Sequence, residues 1–192
     1  MASAPSTRER LIDAAFEVVA REGLEAASVK LIAAEAGLTP GLLHYHFATK
    51  DALLEAALRR ALEDYIQEVR RRRLATPPDK LIARMFADAR VSLRQDADVF
   101  RVRLSFAVRA LAHPDLAAVM RDLNAVAIKE MALTLAAAAG RATVTPRDAQ
   151  LAATLKATFD GIMLACLTDP NFPIAAADAF LAEATKGWLA AP

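Results

Sequence analysis

The side chains with most to offer chemically lie between Ser28 and Lys50: Ser28, Lys30, Thr39, His44, Tyr45, His46 and Lys50, with Gly41 and Leu42 among them. They supply hydrogen-bond donors, cations and a stacking ring, but not a catalytic set. His44 and His46 are two residues apart, so on a helix they point in different directions, and no neighbouring carboxylate or thiol completes a metal site. Elsewhere there is no Ser, His and Asp grouping, no glycine-rich phosphate loop and no HExxH pattern. An enzyme is not expected, nor a cofactor or a metal.

What such residues can do is read a polar surface, provided that short elements present them. Ser28 is a good N-cap for a helix with Val29, Ile32, Ala33 and Ala36 on one face, and Gly37 stops it by taking a left-handed backbone. Thr39 caps the next helix, with Pro40 at its first position, where a missing N–H costs nothing. Leu43 and Phe47, four apart, anchor that helix to its neighbour and turn Leu42, His44, Tyr45 and His46 outward. A short polar helix presented by a tight turn is what the DNA major groove accepts.

Upstream, Ser6-Thr7-Arg8-Glu9 forms a capping box for a first helix that buries Ile12, Ala15, Phe16 and Val19 and ends at Gly23. Residues 7 to 55 resemble the N-terminal domain of the TetR family of bacterial regulators. The resemblance is carried by Gly23, Ile32-Ala33, Ala36-Gly37, Gly41-x-Leu43, His46-Phe47 and Lys50-x-x-Leu53. Many members have a phosphate-contacting tyrosine where this chain has His44, with Tyr45 at the next position. The resemblance implies a DNA reader over residues 1–50 whose contacts come from Ser28, Lys30, Thr39, Gly41, Leu42, His44, Tyr45, His46 and Lys50. Residues 51–192 form a ligand-binding and dimerisation domain in this reading.

Composition agrees with an all-α fold of about nine helices. Hydrophobic residues make up 55% of the chain and aromatics only 6%, so the core is built from Ala, Leu, Val and Ile, which favours packed helices. No run of about 18 uninterrupted apolar residues occurs, and the N-terminus lacks a hydrophobic signal core. A cytoplasmic protein with no membrane partner is expected, and the lone Cys166 reads as a small apolar residue. Charge is less informative: the net charge is +1, and residues 1–50 hold five basic side chains against six acidic ones. Glu9, Asp13 and Glu17 make one acidic stripe on the first helix that should face away from DNA. Glu17 has Arg21 as its i,i+4 partner.

A fourth helix runs from Lys50 to about Arg73, where Thr76-Pro77-Pro78 breaks it, and the run Arg70 to Arg73 is expected to offset its dipole and stay solvated. Five more helices follow over approximately 79–95, 97–112, 114–139, 146–168 and 175–190. The eighth is apolar nearly all round, so it must be covered on more than one face. The segment around Phe159-Asp160-Gly161 and Asp169-Pro170 resembles the family's C-terminal region, in which the last two helices pair across a twofold axis. A homodimer through Leu155, Ile162, Phe180, Ala184 and Trp188 is expected.

The aromatic and methionine set on helices five to eight reads either as core or, as the family resemblance implies, as the lining of an effector cavity. Its candidates are Met85, Phe86, Phe100, Arg103, Leu104, Phe106, Met120, Phe159 and Met163. Arg101, Arg103 and Arg109 diverge around helix six, so at most two face inward. An inward arginine would suit an anionic group on an otherwise apolar effector; the alternative is that Arg103 and Arg109 reach solvent or pair with Asp115, Asp122 or another surface acid. The functional expectation is a ligand-responsive regulator, a repressor that binds a palindromic double-stranded DNA operator as a dimer. The competing reading is a helical binding or scaffold protein whose reader no longer functions.

Overall fold

The structure, a computed structural model, describes residues 4–95 and 97–190. Among them it is all-α: α1 (Thr7–Glu22), α2 (Val29–Glu35), α3 (Pro40–His46), α4 (Lys50–Leu74), α5 (Leu81–Gln95), α6 (Ala97–Ala110), α7 (Pro114–Ala138), α8 (Pro146–Thr168) and α9 (Ile174–Ala190), with a 3-10 turn at Pro78–Lys80. Two compact units emerge. The first holds the described residues up to Tyr65 together with Asp98–Arg121; the second holds Ile66–Ala97 and the described residues from Asp122 onward.

In the first unit, α1 begins with the capping box the sequence specifies: the Ser6 N–H donates to Glu9 Oε2 at 2.7 Å and the Glu9 N–H to Ser6 Oγ at 3.2 Å. The backbone bond from Ser6 leads the influences that hold the Glu9 carboxyl below its ordinary pKa. Gly23, at φ 85°, closes the helix. The buried stripe is Leu11, Ile12, Ala14, Ala15, Val18 and Val19, whereas Phe16, expected in the core, is only half buried. The stripe centres on Leu11 and Ala15, and Phe16 lies about 140° round the helix from Leu11, at its margin. The acidic stripe does not stand alone: Arg60 of α4 lies 3.9 Å from Glu9 and 3.8 Å from Asp13. Arg21 pairs with Glu22 and, at 2.8 Å, with Glu35 of α2 rather than with Glu17, because its long side chain reaches across to the neighbouring helix.

The second unit is built round Ile82, Phe86, Ala132, Leu135, Leu151, Ala152 and Leu155, with Met85, Met131, Phe159 and Leu181 packed against them. Burial of each large side chain here contributes about 1.5–3 kcal/mol. A second capping box starts α8: Thr145 and Asp148 bond reciprocally at 2.8 Å and 3.2 Å, with Pro146 at the first helical position. Asp148 is buried and bonded by Arg141 as well. Burial alone would raise its carboxyl pKa, but the Thr145 bonds and the Arg141 guanidinium outweigh it and hold the pKa low.

The expectation of a solvated Arg70–Arg73 run is corrected. Arg70 Nε donates to Glu130 Oε1 at 2.7 Å and Arg73 Nη2 to Glu130 Oε2 at 3.2 Å, while Arg71 stays exposed beside Glu68. Glu130 sits on the buried side of α7, and a buried carboxylate needs cationic partners. Those partners come from the end of α4.

Candidate nucleic-acid interface

The candidate reading surface is assembled inside the first unit. Ser28 caps α2, its hydroxyl accepting from the Leu31 N–H at 3.2 Å, so this oxygen already has a structural task. At the other end the Leu38 N–H donates to Ala33 O at 2.8 Å and the Gly37 N–H to Ala34 O at 3.0 Å. This is a Schellman turn, and Gly37 at φ 63° occupies the left-handed position it requires. Thr39 stands at the N-cap of α3 with extended backbone, as expected, but its hydroxyl makes no capping bond. It remains exposed at the helix start. Thr49, which the sequence reading did not single out, caps α4 by accepting from the Ala52 N–H at 3.0 Å. A Thr one residue before the Lys50-Asp51 helix start was the available signal.

Leu43 and Phe47 are both buried and fix α3 in place. Around them Lys30, Thr39, Gly41, Leu42, His44 and Tyr45 are exposed, while His46 and Lys50 are half buried. Tyr45 is 82% exposed, too open for a tyrosine with a packing role. Its ring meets that of His46 edge-on with centroids 5.1 Å apart. All nine expected DNA contacts therefore lie in the first unit, on α2, α3, the turn between them and the start of α4. The arrangement offers donors, a cation at either side and a ring, with hydrogen-bonding capacity turned outward.

The expected effector-binding residues divide between the units. Phe100, Arg103, Leu104, Phe106 and Met120 belong to the first, and Met85, Phe86, Phe159 and Met163 to the second. In the second, Phe86 and Phe159 pack with centroids 5.3 Å apart. In the first, Phe100 meets Tyr65 of α4 edge-on at 5.8 Å, an aromatic the sequence reading left out. Arg103 is buried, and Arg109 donates to both oxygens of Asp51 at 3.2 Å. Arg109 thus follows the expected alternative, since Asp51 is a surface acid, whereas Arg103 does not reach solvent. Asp51 opens α4, close in sequence to the reader, and this could not be inferred from helical spacing within α6.

Of the residues expected at a dimer interface, Leu155 and Ile162 are buried within the second unit itself, whereas Phe180, Ala184 and Trp188 are exposed. Leu164, on the side of α8 away from Leu155, is exposed too. The Arg147 guanidinium lies 5.3 Å from the centre of the Trp188 ring. Cys166 is half buried, and burial together with Asp178 and Asp169 pushes its thiol pKa up.

Comparison with known proteins agrees with this geometry. Residues 11–57 match the family described as bacterial regulatory proteins of the tetR family, and residues 78–190 match the C-terminal region of BetI-type transcriptional repressors. The chain is 29% identical over 167 residues, 86% of each protein, to the HTH-type nicotine-responsive transcriptional repressor HdnoR of Paenarthrobacter nicotinovorans. It is 34% identical over 123 residues, 61% of each protein, to the HTH-type transcriptional regulator BetI of Stenotrophomonas maltophilia. A solved TetR-family structure from Streptomyces coelicolor A3 superposes with a TM-score of 0.73 at 30% identity, covering 96% of this chain and 98% of that one. The chain therefore belongs to the TetR family: it is a ligand-responsive, DNA-binding transcriptional regulator whose C-terminal region is of the BetI type.

Proposed function

We propose that the chain is a cytoplasmic repressor that binds a palindromic operator as a homodimer and releases it when a small, mostly apolar effector binds. In this reading residues 1–50 read the DNA, and residues 51–192 bind the effector and form the dimer. The observation that carries it is α3: a short helix held from beneath by Leu43 and Phe47, with Tyr45 and His44 turned to solvent. Lys50 and His44 reach phosphates and position the protein, while Lys30 and Tyr45 read base edges. Ser28, Thr39, Gly41, Leu42 and His46 complete the contact surface.

Two copies are required because one reader covers only half a palindrome. Their interface is the apolar surface left by Leu164, Phe180 and Trp188, with Ala184 allowing close approach. α8 is long and apolar enough by composition to cross a membrane; a second copy covers such a helix equally well. The effector works by binding one dimer conformation better than the other, and its differential affinity sets how far the DNA-binding equilibrium moves.

The Phe and Met side chains of α5 to α8 support an apolar effector. An anionic group on it has less support now that Arg109 is engaged by Asp51. A nitrogen base is a second reading, favoured by the nicotine-responsive relative. A thermal-shift screen of aromatic acids, amines and neutral analogues, followed by operator release, separates the three. Stabilisation by neutral and basic compounds but not by acids supports the apolar or amine reading. Stabilisation by acids alone restores the anion. A chain that binds no DNA flanking its own gene fits the scaffold alternative instead.

A further inference from the structure

The turn between α2 and α3 offers a carbonyl, free of the bonds that close the turn, to a partner outside it. The Schellman pattern engages Ala33 O and Ala34 O. The carbonyl of Ala36, at the C-cap, accepts instead from Arg10 Nη2 of α1 at 2.6 Å, twenty-six residues earlier in the chain. The same guanidinium lies against the glycine of the turn: a Cβ on Gly37 would stand 3.3 Å from Arg10 Nη2. Two residues earlier on α1, Arg8 places its guanidinium 5.0 Å from the centre of the Phe47 ring. Phe47 is the C-cap of α3, its N–H bonded to Leu43 O at 2.9 Å.

We infer that Arg10 and Arg8 are positioning residues for the reading helix: from α1, Arg10 pins the turn that leads into α3, and Arg8 covers the residue that ends it. A charge-assisted bond to a carbonyl is stronger than a neutral one and directional, so it fixes the turn more tightly than packing of Ala36 alone. A guanidinium over an aromatic face adds a weaker contact of the same sense. The competing role for two arginines near the start of a DNA-binding chain is phosphate contact. In that case their removal would reduce counterion release rather than loosen the turn.

This inference rests on the operator-binding reading for its functional meaning but not for its first test. In the free full-length protein, Arg10→Met is expected to speed amide hydrogen exchange at Gly37 and Leu38, and Arg8→Leu at Phe47, each on the order of tenfold. Unchanged exchange at these amides overturns the inference whether or not DNA binds. The second test is operator affinity across a salt series. A positioning role predicts weaker operator binding on the order of tenfold for Arg10→Met, with the slope of log affinity against log salt unchanged. Affinity for random duplex is also expected to be unchanged. A phosphate role predicts a slope shallower by about 0.9 for each phosphate no longer neutralised, with random duplex weakened equally; that result overturns it. If Arg10→Met does not fold, the exposed Arg8→Leu decides by the same two measurements.

Discussion

The reader at α1 to α3 and the pair α8 and α9 handle apolar surface in opposite ways. In the reader, the large apolar side chains that the helices project inward are covered by the same unit: Leu11, Val18, Ile32 and Leu43 are all inaccessible to solvent. Its outer face presents a tyrosine and two histidines. On α8 and α9 the outward side chains include Leu164, Phe180 and Trp188, and Phe180 is 73% exposed. The first region covers its apolar side chains within one chain and has polar chemistry to offer; the second leaves apolar area exposed. A regulator that must hold two readers at a fixed spacing needs both kinds of surface.

The comparison is broken most severely by changing the apolar face. Phe180→Asp or Trp188→Asp is expected to turn a dimer into a monomer and to weaken operator binding by about a hundredfold or more, with the reader still folded. Sedimentation and a DNA titration measure both effects, and a wild-type monomer at micromolar concentration removes the basis of the comparison. Next in size is Leu43→Ala, expected to cost about 2–5 kcal/mol in the stability of the reader while sedimentation still reports a dimer. Loss of the dimer in that variant would mean that the two surfaces are not independent.

A smaller effect separates the frame of α8 from its exposed face. Asp148 has a lowered pKa, so it contributes stability above the ordinary aspartate range, and that contribution disappears as pH falls through its depressed value. Asp148→Asn is therefore expected to lower stability near neutral pH by about 1–2 kcal/mol, the usual worth of a helix cap, with the gap to wild type closing in strong acid. Thermal melts at several pH values check the sign. Smallest are the single contacts: Lys50→Ala and His44→Ala should weaken all duplexes modestly and alike, whereas Lys30→Ala and Tyr45→Ala should change which sequences are preferred. Binding to a randomised operator library separates the pairs, and unchanged affinity in both Lys50 and His44 variants counts against their assignment.

The helix order and the reader were legible because local chemistry determines them. Ser6 and Glu9, and Gly23 and Gly37, are caps and stops whose partners lie within a few residues, and the structure uses each as read. What could not be read were partners far apart in sequence. Glu130 collects Arg70 and Arg73, Asp51 collects Arg109, and Arg10 reaches Ala36, and no periodicity within one helix foretells such pairs. The same limit explains the expected effector set. Period identifies Met85, Phe86 and Phe159 as inward-facing, but only tertiary contacts reveal that they join the core cluster. It also explains why Leu155 and Ile162 looked available for a partner: on a helix apolar all round, spacing cannot tell which side its own chain covers.

The most direct test of the account is a fluorescence-anisotropy titration of the full-length chain on duplexes that tile the DNA flanking its own gene, with random duplex as competitor and stoichiometry read at saturation. The account predicts one or more tiles bound far more tightly than random DNA, with two chains for each site and the preference abolished in Tyr45→Ala. Equal affinity for every tile and for random duplex, or saturation at one chain per site, would contradict it.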